Sequence, residues 1–457
     1  MSTNTSGHQP LVGWQDSSDD RGSLDVLWSC LVTLLLCAWV STYPNAGSPH
    51  DKWYHPLLDK FNLAIITFLG PDFLFGIALG QFSSARLSVK AFKRDSHLMR
   101  GQKWKLIHGF FVDMGCLHLT APDYSIADGK SFPIDSKQFH YLVKHGFVEF
   151  PDIDKLEIKE RNSVDTLSRS VYHRGASIIT VFQAAWFTIK ELARIHKGYP
   201  ISTLELTTLS FCFITFVISA LWYHKPSISK PQFITTKDDI TIEEIPHKLR
   251  INFVSRPVAR TPWDRVPSDI WLIPEPWFAP GAALILIGFS VIFVLAWNFQ
   301  FPTASEKLLW RICSAYHAAF SIYGGAYYAV EMFKPSKRKK AAPIAQLSSQ
   351  LRTNSMESIE MESQRRITFG RRRFLRFVER ARVWRNLSED QDPAMEVPLR
   401  VIIPITVACF VYCLCRFYIY IEDLISLRLQ PAEVYLTVNS LEEARRLRIF
   451  IMDDEKT

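Results

Sequence analysis

Apolar residues in this chain come in long blocks. Gly175–Ile189 and Leu206–Leu221 are two such blocks, separated by the short polar turn Glu191–Pro200. Each, with its shoulders, reaches the ~20 residues that cross a bilayer, and the turn between them can only reverse direction. The pattern predicts a membrane-spanning hairpin. Five more blocks, Leu24–Thr42, Phe61–Phe82, Phe278–Asn298, Leu308–Met332 and Val397–Tyr420, bring the expected number of spans to seven. Pro71 falls inside the second block and Pro404 inside the last, where each predicts a kink.

The segments between the blocks are polar. Residues 1–23 read as an N-terminal tail, 24–82 as the first two spans and 83–165 as a polar unit. Within that unit Gly109–Leu119 alternates enough for a strand. Asp135 is placed to cap a short helix running to Lys144 with Gly146 after it, and Asp154–Glu160 predicts a second short helix. The hairpin occupies 166–224, a proline-studded segment 225–277, spans five and six 278–332, a basic segment 333–396, the last span 397–420 and a tail 421–457. Phe301-Pro-Thr303 stops the fifth helix, and Ser305 is placed to cap the sixth. The expected fold is an all-α membrane protein of about seven transmembrane helices, with a small α+β cap on the membrane surface between helices two and three.

Charge sharpens this picture. The net formal charge is +8, yet Lys334–Arg385 alone holds 15 Lys or Arg against four Glu, a balance of +11. So localised an excess points to a membrane surface or an acidic protein partner and away from nucleic acid. Within it Phe374, Phe377, Val378, Ala381 and Trp384 recur at helical steps among arginines, which predicts a basic amphipathic helix suited to anionic lipid. The candidate lipid-binding residues are Lys337, Arg338, Lys339, Lys340, Arg371, Arg372, Arg373, Arg376, Arg380, Arg382 and Arg385. Nearby Ser348, Ser349, Thr353, Ser355 and Ser358 are sites where phosphate would weaken that attraction. With seven spans, the positive-inside rule puts the N-terminus in the cytoplasm, the C-terminus on the other side, and the sequon Asn386-Leu-Ser388 where it stays unmodified. Seven of the eight cysteines lie inside apolar blocks, so no disulfide framework is expected.

Two groups of residues carry candidate chemistry. His108 and Asp113 have the H-x4-D spacing by which membrane acyltransferases pair a general base with an orienting carboxylate, although Phe132-Pro-Ile-Asp135 lacks the Glu-Gly of the phosphate-binding block such enzymes share. Adding His118 matches no usual zinc spacing, and no metal or cofactor is expected. The second group is the ionisable set in or beside spans: Asp72, Glu205, Arg311, Glu331, Arg416, Glu422 and Asp423. A charge deep in hydrocarbon costs at least ~2.5–3.5 kcal/mol and needs a partner or a cavity. Asp72 is expected to pair with Arg311 or His317 of the sixth helix, whose small and polar residues suit the bundle interior.

Several phrases are together characteristic: Arg21–Cys30, His108–Gly115, Trp222–Pro226, Ala296–Pro302 with Glu306 and Trp310-Arg311, and Arg416–Arg428. In this order they resemble a family of uncharacterised multi-pass integral membrane proteins of filamentous fungi and mushrooms, over most of residues 20–435. The resemblance implies a membrane location and supplies no activity or site residue. The expected function is transport or sensing through a polar bundle interior. The alternatives are a transferase acting through His108 and Asp113 and a membrane scaffold recruiting partners to its basic loop.

Overall fold

The computed structural model describes residues 11–16, 21–122, 131–152, 167–226, 231–238, 265–269, 274–333 and 399–436, with isolated residues 156, 240, 241, 245, 272 and 380. It is mostly helical. After a two-residue strand β1 (Leu11–Val12) come α1 (Ser23–Val40), α2 (His55–Leu69), α3 (Pro71–Arg94) and α4 (Leu106–Asp113). Strands β2 (Leu117–Thr120) and β3 (Phe132–Pro133) precede α5 (Ser136–Lys144), α6 (Leu167–His196) and α7 (Thr203–Leu221). The remainder is β4 (Gln232–Thr235), α8 (Ala279–Leu295), α9 (Ala304–Phe333), α10 (Leu399–Ile425) and β5 (Gln430–Pro431).

Among the described residues four helical spans, Ser23–Val40, Thr203–Leu221, Pro276–Asn298 and Ile402–Arg428, are long and apolar enough to cross a membrane, and α2 with α3 would make a fifth if the bent pair counts as one. Helices α6 and α9, 30 residues each, are longer but carry more polar side chains.

The expected second span is not one helix. Gly70 and Pro71 end α2 and start α3 at an angle of 120°, far more than a proline kink, because Pro71 sits at the first position of a new helix. The chain turns back there. Tyr43 O and Asn45 Oδ1 accept from Lys225 Nζ at 2.7 and 3.2 Å, and Ala46 N–H donates to Met114 O at 2.9 Å. Arg265 pairs with Asp59 at 2.8 Å. The segment before α2 and the segment after α3 therefore lie at the same end of the bundle.

At the opposite end β1 pairs antiparallel with β5, matching Leu11 with Pro431 and Val12 with Gln430. Ser23 Oγ donates to Tyr435 Oη at 2.9 Å. Leu11–Val12 and Gln430–Pro431 therefore lie at one end of the bundle, and of the seven expected spans four, or five with α2–α3, have the length and apolarity to cross a membrane among the described residues. We refer to this as the termini end, and to the other as the sheet end. Helices α1, α6, α7, α8, α9 and α10 run alternately between the two.

The sheet end holds a three-stranded sheet in the order β3-β2-β4, with β2 antiparallel to β3 and parallel to β4. Its core is aromatic: Phe92, Trp104, Phe111, Phe139 and Phe150 pack with Met114, Leu117 and Ile134. Phe92 comes from the last turns of α3, whose earlier residues Leu74, Phe75, Ile77 and Ala78 belong to the bundle core. One continuous helix thus joins the two cores. Gly109 lets α4 lie against it, since a Cβ there would meet Ala85 O at 2.8 Å. Residues 106–113 form a helix where alternation suggested a strand; only 117–120 is extended.

Local signals were obeyed elsewhere. Asp135 caps α5 by accepting from Lys137 N and Gln138 N, while Gln138 Oε1 accepts from Asp135 N at 2.8 Å. Gly146 follows in the left-handed region at φ +76°. Helix α9 is capped by Thr303, not Ser305: Thr303 Oγ1 accepts from Glu306 N and Glu306 Oε2 from Thr303 N. The helix expected over 154–160 lies outside the described residues.

Candidate functional site

Tyr412, Arg416 and Tyr420 recur every four residues and so share one face of α10, which turns inward. Tyr412 O–H donates to Asp72 Oδ1 at 2.6 Å. Asp72 stands in the first turn of α3, immediately after the break, where the free N–H groups and dipole of a helix N-terminus favour a carboxylate. Arg416 Nε donates to Tyr420 Oη at 3.1 Å, and Tyr420 O–H in turn donates to Phe68 O at the end of α2. The open carbonyls of the broken helix are thereby partly satisfied by a side chain, as buried backbone requires.

Arg416 is wholly buried. Its guanidinium lies over the rings of Phe293, Tyr420, Phe211 and Phe289 at 4.7, 4.8, 5.0 and 5.6 Å, a cage from α7, α8 and α10. Each desolvated cation–π contact contributes up to about 2 kcal/mol, which replaces part of the lost hydration. Its two terminal nitrogens make no hydrogen bond. His317 of α9 closes the same space, edge-on to Tyr412 at 4.4 Å and stacked on Phe293 at 5.9 Å, with neither ring nitrogen hydrogen-bonded. A carboxylate, a phenol, a guanidinium and an imidazole thus meet inside the bundle, beside a broken helix.

The expected pairing of Asp72 with Arg311 or His317 is corrected. Arg311 lies two turns into α9 near the termini end, where its Nε donates to Trp297 O at 3.0 Å and its guanidinium stacks on the Trp297 ring at 5.2 Å. His317 makes no hydrogen bond to Asp72 and reaches the site through the rings of Tyr412 and Phe293. The partners of Asp72 come from α10, and the sequence signal for them was the spacing of Tyr412, Arg416 and Tyr420, with the tyrosines counting as much as the charge.

His108 and Asp113 sit on α4, five residues and about 140° apart around the helix. They do not form a dyad. His108 Nδ1 accepts from Lys105 N at 3.0 Å and so serves the start of its own helix, while its ring lies 5.2 Å from Trp104. Burial, and then Lys105, push its pKa down to about 4. Asp113 Oδ1 accepts from Ser136 N at 2.9 Å, tying α4 to α5; burial, and then Asp135, push its pKa up to about 6. His118 is buried on β2 with Nδ1 against Ser131 Oγ at 3.1 Å.

Of two further buried networks the sequence singles out Glu205 alone. Lys225 is wholly buried after α7 and directs its three hydrogens at Tyr43 O, Gln81 Oε1 and Asn45 Oδ1, stitching α3, α7 and the segment after α1 together. Burial lowers its pKa to about 7. At the termini end Arg21 pairs with Glu205, and Arg194 lies 3.6 Å from Glu191 while donating to Val434 O at 2.9 Å. The basic candidates Lys337–Lys340 and Arg371–Arg385 lie outside the described residues except Arg380, which is exposed.

A family model described as a family of unknown function, DUF8562, matches residues 1–245. No curated protein and no solved structure matches the chain. The matched stretch runs from β1 through α7 to β4 and takes in the broken α2–α3 hairpin, Asp72, Phe211 and Lys225. It covers more than half of the 457 residues, so the chain belongs to this family of unknown function, DUF8562.

Proposed function

We propose that the protein is an integral membrane transporter of small ions, in which α1, α6, α7, α8, α9 and α10 cross the bilayer and α2–α3 enters and leaves from the sheet end as a re-entrant hairpin. The observation that carries this is Arg416, wholly buried, facing Asp72 at the break of that hairpin. Discontinuous helices whose ends meet charged groups near the bilayer midplane are how membrane proteins expose ion sites without exposing backbone to lipid. Ionisable groups there are costly and mark pathways.

In this arrangement the sheet unit is a cap over one mouth of the bundle. Helix α9 ends and α10 begins toward that same end, so positive-inside would make the sheet end cytoplasmic and the basic sequence between them a candidate for the anionic leaflet. Both termini then lie on the opposite face. The N-terminus moves from where seven spans would put it, and the basic segment stays.

Two measurements test the reading. Glycosylation in a eukaryotic host is expected at Asn4-Thr-Ser6 and not at Asn386-Leu-Ser388; modification of both would restore an odd number of crossings. For function, purified protein in liposomes is expected to carry protons or sodium under an imposed potential faster than empty vesicles, with Asp72→Asn falling to background. Wild-type flux of neither ion above empty vesicles refutes transport.

A further inference from the structure

Two buried acids, Glu422 and Asp423, are left over when the charges of the bundle are matched among the described residues. Arg21 and Arg194 stand against Glu205 and Glu191, and Arg416 faces Asp72. Glu422 accepts from Tyr418 O–H at 3.1 Å. Asp423, wholly buried near the end of α10, has neither carboxylate oxygen in a hydrogen bond or an ion pair. A lone buried carboxylate costs far more than one left in water unless something compensates it.

What surrounds it is oxygen. The hydroxyls of Thr207 and Thr203 on α7 lie against the carboxylate, and Thr207 Oγ1 has no other partner. Thr203 Oγ1 and Ser426 Oγ are 3.0 Å apart, and Ser426 Oγ also reaches Asp423 O at 3.2 Å. All four residues are buried. The cluster lies where α10 ends in a short 3-10 turn, and the negative end of a helix dipole favours a cation there. The first turn of α7 does not compete, because Ser202 and Glu205 cap it and Arg21 pairs with Glu205.

We propose that Asp423, Thr203, Thr207 and Ser426 form a binding site for one sodium ion. Hydroxyl, carboxylate and carbonyl oxygens at a helix end are the donors that hold alkali cations inside transporters. One carboxylate balances one positive charge, whereas a divalent ion would leave an uncompensated charge in the membrane interior. Arg416, two turns earlier on α10, attracts Asp423 but does not fill the site, since its guanidinium is held in the aromatic cage and makes no ion pair with that carboxylate. The inference deepens the transport reading by naming the ion, but the site itself needs no flux to be detected.

The full-length protein in detergent is titrated with NaCl against choline chloride at constant ionic strength, and thermal unfolding and ²²Na⁺ binding are read together. A saturable rise in Tm with sodium is expected, larger than with potassium. Asp423→Asn should abolish both signals. Thr207→Val, which conserves volume, should weaken sodium about tenfold by removing one donor. Equal Tm in sodium and choline would mean that the acid is simply protonated, and overturns the site. So does a sodium response that survives in Asp423→Asn or is unchanged in Thr207→Val, the variant that decides if Asp423→Asn does not fold. Sodium binding without flux in liposomes would keep the site and remove transport; flux without sodium binding does the reverse.

Discussion

Asp113→Asn should make the protein acid-sensitive, because wild type balances two opposite titrations across one pH window. His108 is held neutral, with its pKa lowered from 6.5 to about 4. Between those values the unfolded chain binds the proton and the folded chain does not, so His108 makes stability rise with pH and lose its contribution below about 4. Asp113 has its pKa raised from 3.8 to about 6. There the folded state holds the extra proton, so stability falls as pH rises through that range. At 1.36 kcal/mol for each pKa unit, each effect integrates to about 3 kcal/mol, and the two nearly cancel. Asparagine at 113 keeps an oxygen to accept from Ser136 N and removes the compensating titration. In thermal unfolding in a nonionic detergent between about pH 4 and 7, these two contributions should then nearly cancel in wild type, and the variants are read against its profile. Asp113→Asn should lose up to about 3 kcal/mol on acidification, and His108→Gln should gain a comparable amount. A steep wild-type profile that Asp113→Asn flattens would refute the assignment.

Asp72 and Arg416 form no direct ion pair, but their attraction within one buried cluster predicts coupling. Asp72→Asn or Arg416→Met alone should cost about 3–5 kcal/mol by leaving the other charge uncompensated, whereas the double variant should fall short of the sum by at least about 2 kcal/mol in SDS-driven unfolding followed by tryptophan fluorescence. Additive effects would show that the two charges do not interact. Gly109→Ala should destabilise by about 1–3 kcal/mol, since the new methyl would lie 2.9 Å from Ala85 Cα and force α4 away from α3. Gly281, where an added methyl would meet nothing within 4 Å, is the matched control: its alanine variant should leave Tm unchanged, and a Gly109→Ala protein equally unchanged would place α4 elsewhere.

Much of the molecule is legible along the chain. The apolar blocks imply a bundle of long helices, because a stretch of that length and composition has no other way to satisfy its backbone in lipid. Asp135 with Gln138, and Gly146 beyond them, mark α5 because capping depends on neighbours three residues away. The ionisable set contains Asp72, Arg416 and Asp423. What sequence could not assign was their partners, since a period of 3.6 says which residues share a face and not which helix that face meets.

The sequence by itself therefore determined a mostly helical chain with several long apolar helices and the residues too costly to bury alone, all consequences of local composition. Only the tertiary structure decided that Gly70-Pro71 reverses the chain instead of kinking it, since a proline at a helix start and one within a helix look alike in sequence. The contacts that decided it join residues far apart: Ala46 to Met114, Lys225 to Tyr43, and Leu11–Val12 to Gln430–Pro431. They set which helix ends lie together and which side chains of α10 meet Asp72, because each depends on which ends of which helices meet in space.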